Sequence, residues 1–245
     1  ASNRLFEFLG QDAINESLRS KGVRPVRIAH RLGFRRDDTS TVPLIISLND
    51  SLSTQTLPIT NSAPRPLEIE GVRKGQGYMD GDSLIREPFD FSLKNYLPLG
   101  SLHGILKRVI FPEAFPPEQR FALGEAQRDF LLEAMKVTPR ELGYDPEQYP
   151  DGYCKFFIYG DGTETIPEYL SIYNKVGFAY GTLTDTAYIL DTRNGVEFML
   201  TATLLVNANG VFNDNQYEFD SLGIPFLAAL GRGLYAFEKE WSAKQ

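Results

Sequence analysis

Hydrophobic positions in the last third of the chain change from a period of two to a period near 3.6. Val176–Thr182, Thr186–Leu190 and Val196–Val206 alternate as strands, with Asn194-Gly195 marking a tight hairpin between the last two. Strands in direct succession imply an antiparallel sheet. Leu227, Leu230, Leu234, Phe237 and Trp241 then recur at steps of three and four, which predicts a terminal helix lying across that sheet. The segment Ile166–Tyr173 reads as a helix or turn leading into the first strand.

Upstream, Leu5, Phe6, Phe8 and Leu9 form a short apolar helical face closed by Gly10. Asp12 is positioned to cap a second helix, with Ile14 and Leu18 on one side and Gly22 past its end. Val23 to about Arg73 is loop-rich, with short extended candidates at Val42–Leu48 and Leu67–Val72, and Gly71–Gly81 reads as turns. Leu102, Ile105, Leu106, Val109 and Ile110 predict a helix from Ser101 that Pro112 ends, and Glu125–Lys136 predicts another with Phe130, Leu131, Ala134 and Met135 inward. Thr138-Pro139-Arg140-Glu141 has the spacing of a capping box. The expected class is α+β: residues 1–165 mainly helical and loop-rich, 166–245 an antiparallel sheet with a C-terminal helix, the two interlocked.

Charge and composition narrow the function classes. A net charge of −7 argues against a phosphate-backbone partner, so no nucleic acid is expected. No apolar run approaches the ~18 residues of a membrane span. One cysteine, Cys154, permits no internal disulfide, and with two histidines, His30 and His103, a His/Cys metal site is not expected. His103 reads as a surface or helix-end residue. Asp80-Gly81-Asp82 and Asp161-Gly162 read as turns rather than calcium loops, lacking the spacing of an EF-hand. No metal and no cofactor is expected.

The candidate site is Lys175-Val176-Gly177-Phe178, read as the mouth of a strand. A lysine beside a backbone free of side chain can hold an anionic or acyl substrate. The plain alternative is a solvated lysine at a strand start. The element resembles the Lys-Thr/Ser-Gly motif of penicillin-recognising serine hydrolases. Asn174 to Gly181, Asp185 to Ile189 and Glu197 to Thr203 are similar to the carboxyl-terminal sheet of the class A β-lactamase-like family, in its Bacteroidetes-type branch. Ala1-Ser2-Asn3-Arg4-Leu5 resembles the continuation of that family's Ser-Asp-Asn motif, so the chain would start just after it. The resemblance is strong at both ends and loose between Val23 and about Gly160.

It implies a β-lactamase/transpeptidase-like fold and acyl-enzyme chemistry on an amide, β-lactam or peptidoglycan-type substrate. Lys175, Val176 and Gly177 would bind substrate, Lys175 would steady charge, and the Phe178 backbone N–H would form half of an oxyanion hole. Asn3 would tie its helix to the loop flanking the site. The resemblance also implies a periplasmic or cell-envelope location and a small-molecule or peptide substrate.

The departures are specific. Val176 stands where the family has a hydroxyl, and Val23–Asn61 holds no Glu-x-x-x-Asn. Glu68, Glu70 and Asp37 are carboxylates without an assigned role. No serine has a lysine three residues on, so the nucleophile is expected on an amino-terminal segment of the same protein, and this chain alone is not expected to be active. The start at Ala1, running straight into an apparent helix body, fits removal of a targeting segment or a cut within a larger protein, and the resemblance favours the cut. The alternative reading is a non-catalytic binding module with the same fold.

Overall fold

The computed structural model describes residues 2–32, 39–49, 52–63 and 65–244; Ala1 and Asp37, both named above, lie outside them. In chain order the elements are α1 (Ser2–Leu9), α2 (Gln11–Ser20), β1 (Ile45–Asn49), β2 (Leu52–Gln55), β3 (Arg73–Lys74), β4 (Gly77–Asp80), β5 (Ser83–Ile85), β6 (Phe89–Asp90), α3 (Leu99–Ile110), α4 (Glu125–Lys136), α5 (Phe156–Tyr159), β7 (Leu170–Ala179), β8 (Thr182–Asp191), β9 (Val196–Leu205), β10 (Val211–Phe212) and α6 (Ile224–Ser242). The chain is α+β. It divides into a unit of Ala1–Lys74 with Pro88–Ser101 and a unit of Gly75–Glu87 with Leu102–Gln245.

In the first unit, the end of α2 follows its glycine. Gly22, at φ 76°, lets its own N–H reach Arg19 and the Val23 N–H reach Leu18, which closes the last turn. The start of α2 departs from expectation. Gly10 is the N-cap with no side-chain bond, and the Asp12 carboxylate instead accepts from the backbone and hydroxyl of Ser62. Of the α1 apolar face only Phe6 is buried; Leu5, Phe8 and Leu9 are exposed. Buried Glu7 instead pairs with buried Arg31 and accepts from the Val42 N–H, so an ion pair joins α1 to the loop. Asn15 spans a second junction, donating to the Ile28 carbonyl at 2.7 Å and accepting from its N–H at 2.8 Å. Leu67–Val72 is not a strand; only Arg73–Lys74 pairs, with β6.

The second unit is built on the sheet β7-β8-β9, antiparallel and paired without a bulge along each ladder. Ile172, Asn174 and Val176 share one face with Leu183, Asp185, Ala187 and Ile189. That face packs on Phe156, Phe157, Ile158 and Leu227. The opposite face carries Tyr173, Tyr188 and Met199 and packs on Leu106, Ile110, Leu132 and Met135 from α3 and α4. Phe130, expected inward, is exposed.

The start of β7 also differs from expectation. Residues 170–173 are strand rather than helix, so Lys175 is the sixth residue of β7 and not its mouth. The expected strand Val176–Thr182 runs through a turn. Tyr180 and Gly181 both have positive φ, 52° and 72°, the geometry of a two-residue hairpin whose twist matches the strands. Asn194-Gly195 does lie in the β8–β9 connection, where the Asp191 carboxylate accepts the N–H groups of Arg193 and Asn194.

Helix α6 packs on α5 through Leu227, Ala228 and Gly231, whereas Phe237 and Trp241 at its far end are exposed. Gly231 is required by close approach: a Cβ there would lie 2.6 Å from the Ile158 nitrogen. Ile158 itself is held at φ 73°, a conformation a β-branched residue rarely adopts. The guanidinium of Arg232 donates to the Ile158 carbonyl at 2.7 Å. A contrast within one helix tests this packing. Gly231→Ala should destabilise the protein by about 1–3 kcal/mol through overpacking. Gly233→Ala, where a Cβ would meet nothing within 4 Å, should stabilise by up to about 1 kcal/mol. Chemical denaturation of both variants measures the opposite signs.

Candidate functional site

Lys175, Val176, Gly177 and Phe178 are consecutive on β7, an edge strand of the sheet. Lys175 is exposed, and its Nζ donates to the Val176 carbonyl at 2.9 Å. Strand alternation puts it on the face opposite Asn174, beside its cross-strand partner Thr186. A Cβ on Gly177 would meet nothing within 4 Å, so the backbone is approachable from that side. Val176 is half-buried against the core cluster. Phe178 is 64% exposed and its ring centroid lies 5.1 Å from that of Phe219.

Asn3 belongs to the first unit. Its Nδ2 donates to the Leu32 carbonyl at 2.9 Å and its Oδ1 accepts from the Leu32 N–H at 3.0 Å, which fastens α1 to that loop. Asn3 also lines a largely apolar cavity of about 330 Å3 with Phe6, Ile14 and Ile28.

The face beside Lys175 is rich in hydroxyls that sequence reading did not single out. Thr186 and Thr201 share a hydrogen bond of 2.7 Å, and Thr184 and Thr203 one of 2.9 Å. His103 Nδ1 lies 2.9 Å from the Thr201 hydroxyl, so this histidine faces the sheet rather than the surface. The register sets Lys175, Thr186 and Thr201 in one row across three strands.

Directly behind Lys175 lies a buried polar cluster. Lys155 is 2% exposed. Its ammonium donates to the carbonyls of Met135 at 2.6 Å and Ile172 at 3.0 Å, and to Asn174 Oδ1 at 2.9 Å. Asn174 Nδ2 donates to the Cys154 carbonyl at 2.9 Å and to Asp185 Oδ1 at 3.0 Å. Asp185, fully buried, also accepts from the Phe157 N–H at 3.3 Å. Burial pushes the Asp185 carboxyl up to about 6 against the pull of Asn174, the Phe157 N–H and the Lys155 charge. Burial likewise lowers the Lys155 ammonium.

Two cavities open elsewhere in this unit. One, of about 390 Å3, is polar and lined by Lys136, Thr138, Arg140, Glu141, Lys155 and Ser171 among others. Thr138 donates to the Glu141 carboxylate through both N–H and hydroxyl, so the expected capping pair forms, in a turn rather than a helix. Arg140 forms two bonds with Asp151, at 3.0 and 2.9 Å. The other cavity, of about 470 Å3, is apolar and lined by Tyr144, Tyr149, Tyr153, Leu142 and Cys154 among others. Neither is lined by Lys175, Val176, Gly177 or Phe178. Asp161, in one of the expected turns, pairs with Arg232 at 2.6 Å.

Among the described residues no three His, Cys, Asp or Glu side chains are grouped to hold a metal ion, and no helix is long and apolar enough to cross a membrane. No known protein family, curated protein or solved structure matches the chain.

The raised Asp185 has a stability consequence of definite sign. Between pH 3.8 and about 6 the unfolded chain has released a proton that the folded chain keeps. The ionised, buried carboxylate therefore costs stability increasingly as pH rises through that window, and the cost is complete above it. A shift from 3.8 to about 6 corresponds to roughly 3 kcal/mol. Asp185→Asn removes this dependence, whatever constant offset it adds. Urea denaturation of both proteins from pH 4 to 7 should show the parent losing roughly 2 kcal/mol relative to the variant, most of the full shift; parallel curves would contradict the assignment.

Proposed function

We propose that this chain is the carboxyl-terminal part of a β-lactamase-like serine hydrolase. The fold would be β-lactamase/transpeptidase-like, the location periplasmic or cell-envelope, and the substrate an amide, β-lactam or peptidoglycan-type peptide. A serine on an amino-terminal segment of the same protein would attack the carbonyl carbon. The acyl group would pass to the serine oxygen as the scissile bond breaks, and the departing group would take the proton. Lys175 would hold the substrate carboxylate and steady charge, with Val176 and Gly177 beside it and the Phe178 N–H donating to the developing oxyanion.

The observation that carries this reading is the setting of Lys175-Val176-Gly177. The lysine is exposed and the glycine is open to solvent on an edge strand. A hairpin, a third antiparallel strand and a terminal helix come after it in chain order. The hydroxyl row of Thr186 and Thr201 beside the lysine suits a polar substrate. Strand β9, ten residues long, has no outer partner among the described residues and could accept further strands.

One observation favours a non-catalytic binding module instead: the residue between lysine and glycine is an apolar valine packed against the core, with no hydroxyl to offer. Labelling of the intact gene product with a fluorescent penicillin separates the two. The hydrolase reading expects a covalent label that survives denaturation, with its rate reduced on the order of 100-fold in Lys175→Ala. Absence of label where a control hydrolase is labelled sinks it.

A further inference from the structure

We infer that Lys155, Asn174 and Asp185 act as a register lock on β7, and that Asn174 is the positioning residue for Lys175. The second part rests on the function proposed above; the first does not.

The lock is saturated. All three ammonium hydrogens of Lys155 have acceptors, on Met135, Ile172 and Asn174. The Asn174 amide accepts from Lys155 on one side and donates to Cys154 and Asp185 on the other. An amide suits the position because it supplies one acceptor for Lys155 and two donors, for the Cys154 carbonyl and the Asp185 carboxylate. The cluster joins the end of α4, the segment Cys154–Phe157, β7 and β8. With no donor to spare, Lys155 is not available to a ligand.

The remainder of β7 is poorly placed to choose its own register. It is an edge strand with one neighbour among the described residues. Beyond Asn174 its residues are exposed or half-buried, so hydrophobic burial discriminates little between pairings. A slip of one residue would turn Lys175 inward and Asn174 out. A slip of two would put Ile172 or Val176 against the buried ammonium and carboxylate. Each takes the Asn174 amide from between the ammonium and the carboxylate, leaving Lys155 short of an acceptor and Asp185 short of a donor, a severe penalty for charges this buried. The Tyr180–Gly181 turn constrains the distal end of the ladder, and the lock constrains its middle. Replacing a buried polar cluster entirely by apolar side chains often preserves stability. The specific contribution of this one is therefore the choice of pairing, which sets Lys175 beside Thr186 and Thr201.

The test compares the full chain with Asn174→Leu and with the triple variant K155M/N174L/D185L, by denaturation and by residue-resolved amide exchange and NMR of β7. The triple variant should unfold at a denaturant concentration close to that of the parent. Its residues 174–178 should exchange at least about tenfold faster and give more than one set of signals. Asn174→Leu alone, which removes the amide between two buried charges, should be far less stable or unfolded. A triple variant with a single parental set of β7 signals and parental protection overturns the lock. A triple variant that cannot fold overturns it too, since the cluster would then supply stability rather than register.

In the intact gene product, the triple variant should slow penicillin acylation at least about tenfold. Non-covalent binding of the same penicillin should weaken with it, because Lys175 would hold the substrate carboxylate. Disordered β7 signals with an unchanged acylation rate overturn the positioning part. A parent protein that takes no label overturns the proposed function, while the exchange data still decide the lock.

Discussion

A buried ammonium group must be surrounded by acceptors, and in the second unit that requirement reaches four elements at once. Lys155 takes a carbonyl from the end of α4, a carbonyl from β7 and an amide oxygen from the same strand. The amide then binds the carboxylate of β8. Each of these groups would be costly to bury alone. Together they oblige α4, the Cys154–Phe157 segment and two strands to meet in one arrangement, and the apolar residues around them fill the remaining space.

The opposite end of the same core is governed by backbone approach rather than charge. Helix α6 comes close to α5 because Gly231 has no side chain, and Ile158 bends the chain beneath it at positive φ. The carboxylate of Asp191 completes this side, accepting from Tyr235 on α6 and from Asn194 in the β8–β9 loop. Burial alone would raise that carboxyl, but the hydrogen bonds from Tyr235, Asn194 and Arg193 outweigh it and hold it low. Asp185 and Asp191 lie six residues apart on one strand and titrate in opposite directions. The difference lies in how many donors each carboxylate receives against its burial.

Periodicity revealed those elements whose partners are generic. The three strands, α3, α4 and α6 were legible because each buries an apolar stripe against whatever covers it. Strand boundaries were not, because Tyr180-Gly181 reads as strand until both residues adopt positive φ. Phe130 and Trp241 keep the helical spacing yet face solvent, since spacing says nothing about how far the covering layer extends. At the candidate site the contiguous Lys175-Val176-Gly177-Phe178 could be read directly. Thr201 and His103 could not, being brought beside it by register and by an adjacent helix. Lys155 and Asp185 look like ordinary surface charges in sequence, and only folding shows them paired through Asn174.

The exposed end of α6 bears on how this protein can be observed. It holds the only tryptophan of the chain, and Trp241 is 57% open to water. An indole already hydrated in the folded state emits much as it does in the unfolded one, so tryptophan fluorescence would report the fraying of a helix end and little of the interior. The optical witnesses of the core are phenolic instead. Tyr188 donates to Glu197 and Tyr235 donates to Asp191, and burial raises both hydroxyls, first of all, with the neighbouring carboxylates adding to it. Their near-ultraviolet dichroism, and their resistance to ionising in alkali, would track the packing that the single indole cannot see.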